Sequence, residues 1–218
     1  MQTLAARDAY ELWAETYPPV AHNPLMHAEQ DVVARRLATL RSTSALDVGS
    51  GTGRYVPLIE ATGASLVIGI DLSMGMLTRN TTRHRLCADA HRLPLASSSF
   101  DLVNASLMAG DIPHLEPWIA ELARVLMPAG HLIYSDFHPH WDQRGWQRTF
   151  RTLDGGQHAL PRASHTLDGH FAALEQAGLE VVAATEVKVS MGRAGMTGFW
   201  RPLTEPVAMV FHARKAVR

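Results

Sequence analysis

The sequence predicts an α/β domain built on a mainly parallel sheet, and three stretches carry that prediction. The first is the apolar run SALDV, residues 44–48, which passes straight into the alternating glycines Gly49, Gly51 and Gly53 and then into the helical pattern RYVPLIEA. The second is SLVIGID, a continuous apolar run ending in Asp71, as expected of a strand buried on both faces. The third is LEPWIAELARVL followed by HLIYSDF, an amphipathic helix that feeds a further strand.

Length and composition agree with one domain over residues 1–218. Lys+Arg total 20 against Asp+Glu 21, so no basic footprint for nucleic acid or an anionic membrane exists, and a small-molecule partner is the expectation. The single cysteine, Cys87, excludes an internal disulfide framework, fits a reducing cytoplasm and reads as a small buried hydrophobe. The opening residues MQTLAARDAYELW do not read as a signal peptide, and no apolar run reaches membrane-spanning length.

The glycine turn is a nucleotide-type cradle, in which glycines let a ligand approach the main chain and helix-start N–H groups face it. A dinucleotide fingerprint requires G-x-G-x-x-G, and Arg54 occupies the third glycine position. No Gly-Lys-Ser/Thr follows, which removes a P-loop. What remains is acidic-x-G-x-G-x-G with Asp47 ahead of the turn, suited to a ligand with a cationic amino-acid tail. LDVGSGTG resembles motif I of class I S-adenosylmethionine-dependent methyltransferases, of the ubiquinone- and menaquinone-pathway type within the methyltransferase type 11 group. That resemblance implies a Rossmann-like, doubly wound, seven-stranded sheet, mostly parallel with its last strand antiparallel, and S-adenosylmethionine as cofactor with S-adenosylhomocysteine as product. It places Asp47, Gly49, Ser50, Gly51 and Gly53 at the cofactor.

Taken in order, residues 1–40 carry helical spacing broken at Pro18-Pro19 and form an N-terminal helical cap. AYELWAETY resembles the segment that folds over the cofactor in the same family, which implies Tyr10 and Tyr17 over the methionine moiety or sulfonium. Residues 44–137 form the cofactor-binding half. Asp71, at the tip of the second strand, is placed to accept hydrogen bonds from both ribose hydroxyls and corresponds to the family's motif II acid. Ser73 caps the next helix. The resemblance implies Leu72 and Met74 near the adenine, adds Met76 to the cofactor set, and puts Asp89 and the backbone of Ala90 at the adenine amino group, with His91 as a flanking candidate.

LPLASSSFDLVNAS matches a further family stretch, with Asp101 structural and Asn104, Ala105 and Ser106 at the carboxyl end of the fourth strand, where ligands of open parallel sheets bind. In MPAG, Gly130 is expected to supply a left-handed cap. Residues 138–163 lose their period and read as a lid-like insertion carrying Trp141, Trp146 and Phe150, with Arg144, Arg148, Arg151 and Arg162 as receptors for an acidic acceptor or as solvated charges. Residues 164–218 hold a helix opened by Thr166 and stopped at Gly178, then two closing strands. The connection MGRAGMTGFWRPLTEP reads equally as a second substrate loop or a homodimer contact.

A sulfonium methyl is already activated, so in-line alignment of a C-, N- or O-acceptor carries the chemistry, and proximity alone supplies roughly 7 to 11 kcal/mol. Where the acceptor needs deprotonation, His138, His140, Asp136 and His165 are the general-base candidates, in that order. His138 and His140 point to one side if the strand continues, but no third ligand lies at a metal-site spacing and no metal is expected. Two rivals stay open: a cofactor-binding but non-catalytic partner or sensor, and an NAD(P)-dependent oxidoreductase.

Overall fold

The computed structural model describes residues 3–141, 144–189 and 205–217. Helices α1 (Ala6–Trp13) and α2 (Pro24–Leu37) precede β1 (Ser44–Val48). There follow α3 (Val56–Glu60), β2 (Leu66–Asp71), α4 (Met74–Thr78), β3 (His84–Cys87), β4 (Phe100–Ala105), α5 (Leu115–Val125) and β5 (Leu126–Phe137). A short hairpin, β6 (Thr149–Arg151) with β7 (Gln157–Ala159), leads to α6 (Leu167–Gln176), β8 (Leu179–Val187) and β9 (Ala208–Lys215).

Seven strands form one sheet in the order β3-β2-β1-β4-β5-β9-β8. β1 pairs in parallel with both β2 and β4, and β9 runs antiparallel to both β5 and β8. This is the Rossmann-like arrangement, mostly parallel with the last strand reversed. Successive residues of the apolar strands serve opposite faces, which is why these strands read as continuous hydrophobic runs. Ala45, Val67, Leu102 and Ile133 pack with Val33 and Leu37 of α2 and Ile59 of α3. Their neighbours Leu46, Ile68, Val103 and Leu132 pack on the other face with Trp118 and Leu122 of α5 and Leu174 of α6. The order reverses direction at β1, leaving a crevice between the carboxyl ends of β1 and β4.

Local expectations hold where a side chain dictates the turn. Ser73 accepts the Met76 N–H at 3.1 Å, Thr166 accepts the Gly169 N–H at 3.0 Å, and Gly178 stops α6 at φ +70°. Asp101 is structural, its carboxylate accepting the Thr43 N–H and hydroxyl at 2.8 and 2.6 Å.

Three expectations are corrected. Cys87 is exposed rather than buried, because it ends β3, an edge strand whose residues are largely solvent-facing. The left-handed residue of MPAG is Ala129, at φ +63°, and Gly130 is needed for space: a Cβ there would lie 2.9 Å from the Met127 carbonyl oxygen. Residues 138–163 are not wholly irregular, since β6 and β7 pair within them. The stretch Met191–Pro206 read as a second substrate loop or dimer contact falls, up to residue 204, outside the described residues.

Candidate functional site

A cavity of about 330 Å³ opens at the crevice. Its floor is the glycine turn. Gly49 and Gly51 adopt φ of +66° and +53°, backbone that disfavours any side chain. A Cβ on Gly51 would meet nothing within 4 Å, so the space above it is open, whereas a Cβ on Gly49 would meet Met108 Sδ at 2.7 Å. Gly53 has a different reason to be glycine. At φ +86° its Cβ would strike Asn80 Oδ1 at 2.7 Å, behind the turn.

The turn is held from below by buried side chains. Asp47, 1% exposed, accepts from Ser50 Oγ and Asn104 Nδ2 at 2.7 Å each. Burial pushes its carboxyl up to about 6, against the pull of those two hydrogen bonds. Asn80 donates to Ser50 Oγ at 2.8 Å and to the Gly51 carbonyl at 2.9 Å. The turn's own N–H groups are largely consumed: Ser50 donates to Ile70 O, Gly51 to Asp71 Oδ2 and Gly53 to Ser50 O. The expected array of ligand-facing helix-start N–H groups therefore shrinks, because α3 begins only at Val56.

Asp71 stands at the centre of the wall. Its Oδ2 accepts the Gly51 N–H at 2.8 Å and its Oδ1 the Ser73 N–H at 2.9 Å. Burial raises its carboxyl above the usual carboxylate range. Asp89 also lines the cavity, held by the His91 N–H at 2.9 Å and ring at 2.7 Å, and the His91 backbone bond leads the contacts that lower its carboxyl. Thr52 Oγ1 is buried in the same wall without a hydrogen-bond partner in the protein. An orphaned hydroxyl, an open glycine and two carboxylates spaced along one cleft fit a polar nucleoside ligand with an amino-acid tail.

Of the residues expected at a cofactor, Gly49, Ser50, Gly51, Asp71, Leu72, Met76, Asp89, Ala90, Tyr10 and Tyr17 line this one cavity, as do Ser106 and His91. Asp47, Gly53, Asn104 and Ala105 do not. Asn104 and Ala105 are fully buried, so they brace the wall instead of forming it.

Tyr10 and Tyr17 arrive from the cap. α1 is bolted to α4 by Glu11, whose carboxylate accepts from Ser73 Oγ at 2.7 Å and the Gly75 N–H at 3.1 Å. Tyr10 donates to Asp111 Oδ2 at 2.7 Å, and Arg148 donates to both Asp111 oxygens and to the Tyr10 hydroxyl. Asp111 lines the cavity and Arg148 is 8% exposed, so a buried ion pair locks cap and hairpin at the cavity's edge. Trp13 stacks on Phe150 of β6 with ring centroids 5.1 Å apart. Motif reading missed Asp111, Asn80 and the pairing of Arg148; none belongs to a spaced pattern.

The four general-base candidates do not line the cavity. Asp136, 3% exposed, lies 3.3 Å from His170 Nε2. His165 Nε2 is 2.8 Å from the Ile112 carbonyl oxygen. β5 ends at Phe137, so His138 and His140 do not continue a strand; the His140 N–H donates to His138 Nδ1 at 3.2 Å, and burial lowers His138. Among the described residues, no three His, Cys, Asp or Glu side chains converge as metal ligands would, and no helix is long and apolar enough to cross a membrane. Three of the four lid arginines are engaged: Arg144 with Glu205 at 3.4 Å, Arg148 with Asp111, and Arg162 over the rings of Phe137 and Trp146.

Residues 46–134 match the family described as methyltransferase domain. Over 147 residues the chain is 32% identical to the malonyl-[acyl-carrier protein] O-methyltransferase of Methylovorus sp. (strain MP688), covering 61% of this chain and 50% of that one. Over 198 residues it is 28% identical to the demethylmenaquinone methyltransferase of Mycobacterium bovis (strain BCG / Pasteur 1173P2), covering 84% and 81%. Several curated relatives it matches are longer, and the chain spans 30 to 50% of their length. A crystal structure of an S-adenosylmethionine-dependent methyltransferase from Mesorhizobium loti superposes with a TM-score of 0.70 at 22% identity, covering 86% of this chain and 98% of that one. In fold, and over residues 46–134 in the domain matched, the chain is similar to S-adenosylmethionine-dependent methyltransferases.

Proposed function

We propose that this chain transfers a methyl group from S-adenosylmethionine to a small-molecule acceptor. The observation that carries the reading is the single cavity that joins Gly51, Asp71 and Asp89 to Tyr10, Tyr17 and Asp111. Asp71 keeps lone pairs beyond those used by Gly51 and Ser73, and these accept the ribose hydroxyls. Asp89 and Ala90 hold the adenine edge, and Thr52 Oγ1 finds its missing partner on the amino-acid tail. Tyr10 and Tyr17 lie at the sulfonium, where ring faces attract a cation.

The bound cofactor supplies an activated methyl; the chain supplies alignment and exclusion of water. Because His138, His140, Asp136 and His165 stand outside the cavity wall, no general base is assigned to them, and the acceptor enters already nucleophilic. Relatives named for malonyl-[acyl-carrier protein] and for demethylmenaquinone define the two acceptor types to try first. The test is incubation with methyl-labelled S-adenosylmethionine and a panel of carboxylic acids, phenols and quinols. Label in a product together with S-adenosylhomocysteine supports transfer. The position of these four candidates outside the cavity favours a second reading, a cofactor-binding protein without turnover; tight binding with no labelled product across the panel selects it.

A further inference from the structure

Glu29 on α2 is fully buried, yet it belongs to no motif and does not line the cavity. Its two oxygens gather three groups. Oε1 accepts the Ser135 hydroxyl at 2.7 Å, and Oε2 accepts the Tyr55 hydroxyl and lies 3.6 Å from Arg54 Nη1. Ser135 Oγ in turn accepts the Leu107 N–H at 2.6 Å. Leu107 sits at φ +53°, a left-handed conformation a leucine rarely adopts, so its backbone must be held there by surrounding contacts. Arg54, Tyr55 and Leu107 all line the cavity, and Leu107 precedes Met108, whose sulfur covers Gly49.

We propose that Glu29 is a positioning residue for the cofactor cavity, fixing Arg54 and Tyr55 directly and the strained Leu107–Met108 wall through Ser135. The inference rests on the cofactor reading above. A carboxylate presents acceptors only, which is what a hydroxyl donor on each oxygen and a guanidinium require. An amide of the same size replaces one acceptor by a donor and removes the charge facing Arg54. A purely structural acid would, when so replaced, lower thermal stability and leave ligand affinity alone.

The experiment titrates S-adenosylhomocysteine calorimetrically into the wild-type chain, Glu29→Gln, Ser135→Ala and the double variant, with near-UV spectra and Tm taken on the same samples. Loss of a buried partner predicts a rise in Kd of about ten-fold for Glu29→Gln with the spectrum retained. Ser135→Ala raises Kd as well, and the double variant is no weaker than Glu29→Gln alone, because both act along one path. A folded Glu29→Gln with wild-type Kd, or strictly additive effects, overturns the proposal. Should Glu29→Gln fail to fold, Ser135→Ala and Tyr55→Phe decide it: unchanged Kd in either overturns it, and weakened binding in both supports it. A wild-type chain that binds no S-adenosylhomocysteine overturns the cofactor reading, and this inference with it.

Discussion

The two ends of the cavity are built differently. At the Gly51–Asp71 end, the groups facing a ligand are set by backbone: a glycine turn, a strand tip and an N–H bond spanning 20 residues. At the Tyr10–Asp111 end they are set by side chains brought together across 101 residues, with Thr16 of the cap reaching the Arg151 carbonyl 135 residues away. The first end needs only the parallel strands to form. The second exists only once cap, crevice and hairpin have docked, so its sequence is free to vary in everything but the contacts themselves.

The largest effect is expected where that docking is cut. Arg148→Ala strands Asp111 as a buried carboxylate without its cation, and breaking a buried pair in this way costs about 3–5 kcal/mol. Chemical denaturation should show this loss, with easier proteolysis within residues 144–163 and the sheet's core still intact. A loss below about 1 kcal/mol would mean that cap and hairpin are not held by the latch.

The far end of the sheet offers a control unrelated to either region. His131 on β5 and His212 on β9 approach to 3.0 Å, and burial pulls His212 down to about 4. The folded state thus refuses a proton that the unfolded chain accepts near 6.5, so this contribution is present above about 6.5 and is lost as pH falls toward 4. His212→Gln should flatten the stability profile across that window and leave ligand affinity unchanged; an unaltered slope would contradict the assignment.

At the backbone-built end, Asp71→Ala removes charge-assisted bonds and should weaken S-adenosylmethionine by about 1.5 to 3 kcal/mol in calorimetry. The smallest contrast lies within the glycine turn. Gly51→Ala puts a methyl into open cavity space and Gly53→Ala drives one into Asn80, each at positive φ. Both carry strain of about 1–2 kcal/mol. Gly51→Ala should cost mainly affinity and Gly53→Ala mainly Tm, and the reverse pattern would misplace the ligand.

That asymmetry explains what could be read from the chain alone. The fold was legible because buried parallel strands must be apolar on both faces, and the residues at their tips and turns, Gly49, Gly51 and Asp71, follow from strand spacing, whereas Asp89 was placed by resemblance to a known family. Asp47 and Asn104 were legible as residue types in the right place, but not as a pair that turns inward to each other. Asp111 and Arg148 left no periodic trace. Glu29 did leave one: it stands on the buried stripe Met26, Glu29, Val33, Leu37 of α2, where an acid has no reason to be unless something polar meets it. The histidines misled because proximity in sequence to the end of β5 is not proximity to the crevice once the chain turns at Pro139.

Under the proposed function, the crevice between β1 and β4 binds S-adenosylmethionine and not a dinucleotide. Parallel calorimetric titrations of the wild-type chain with S-adenosylmethionine and with NADH test it most directly. Saturable one-to-one binding of S-adenosylmethionine and no heat of binding for NADH are expected. Tight NADH binding with no response to S-adenosylmethionine would contradict it.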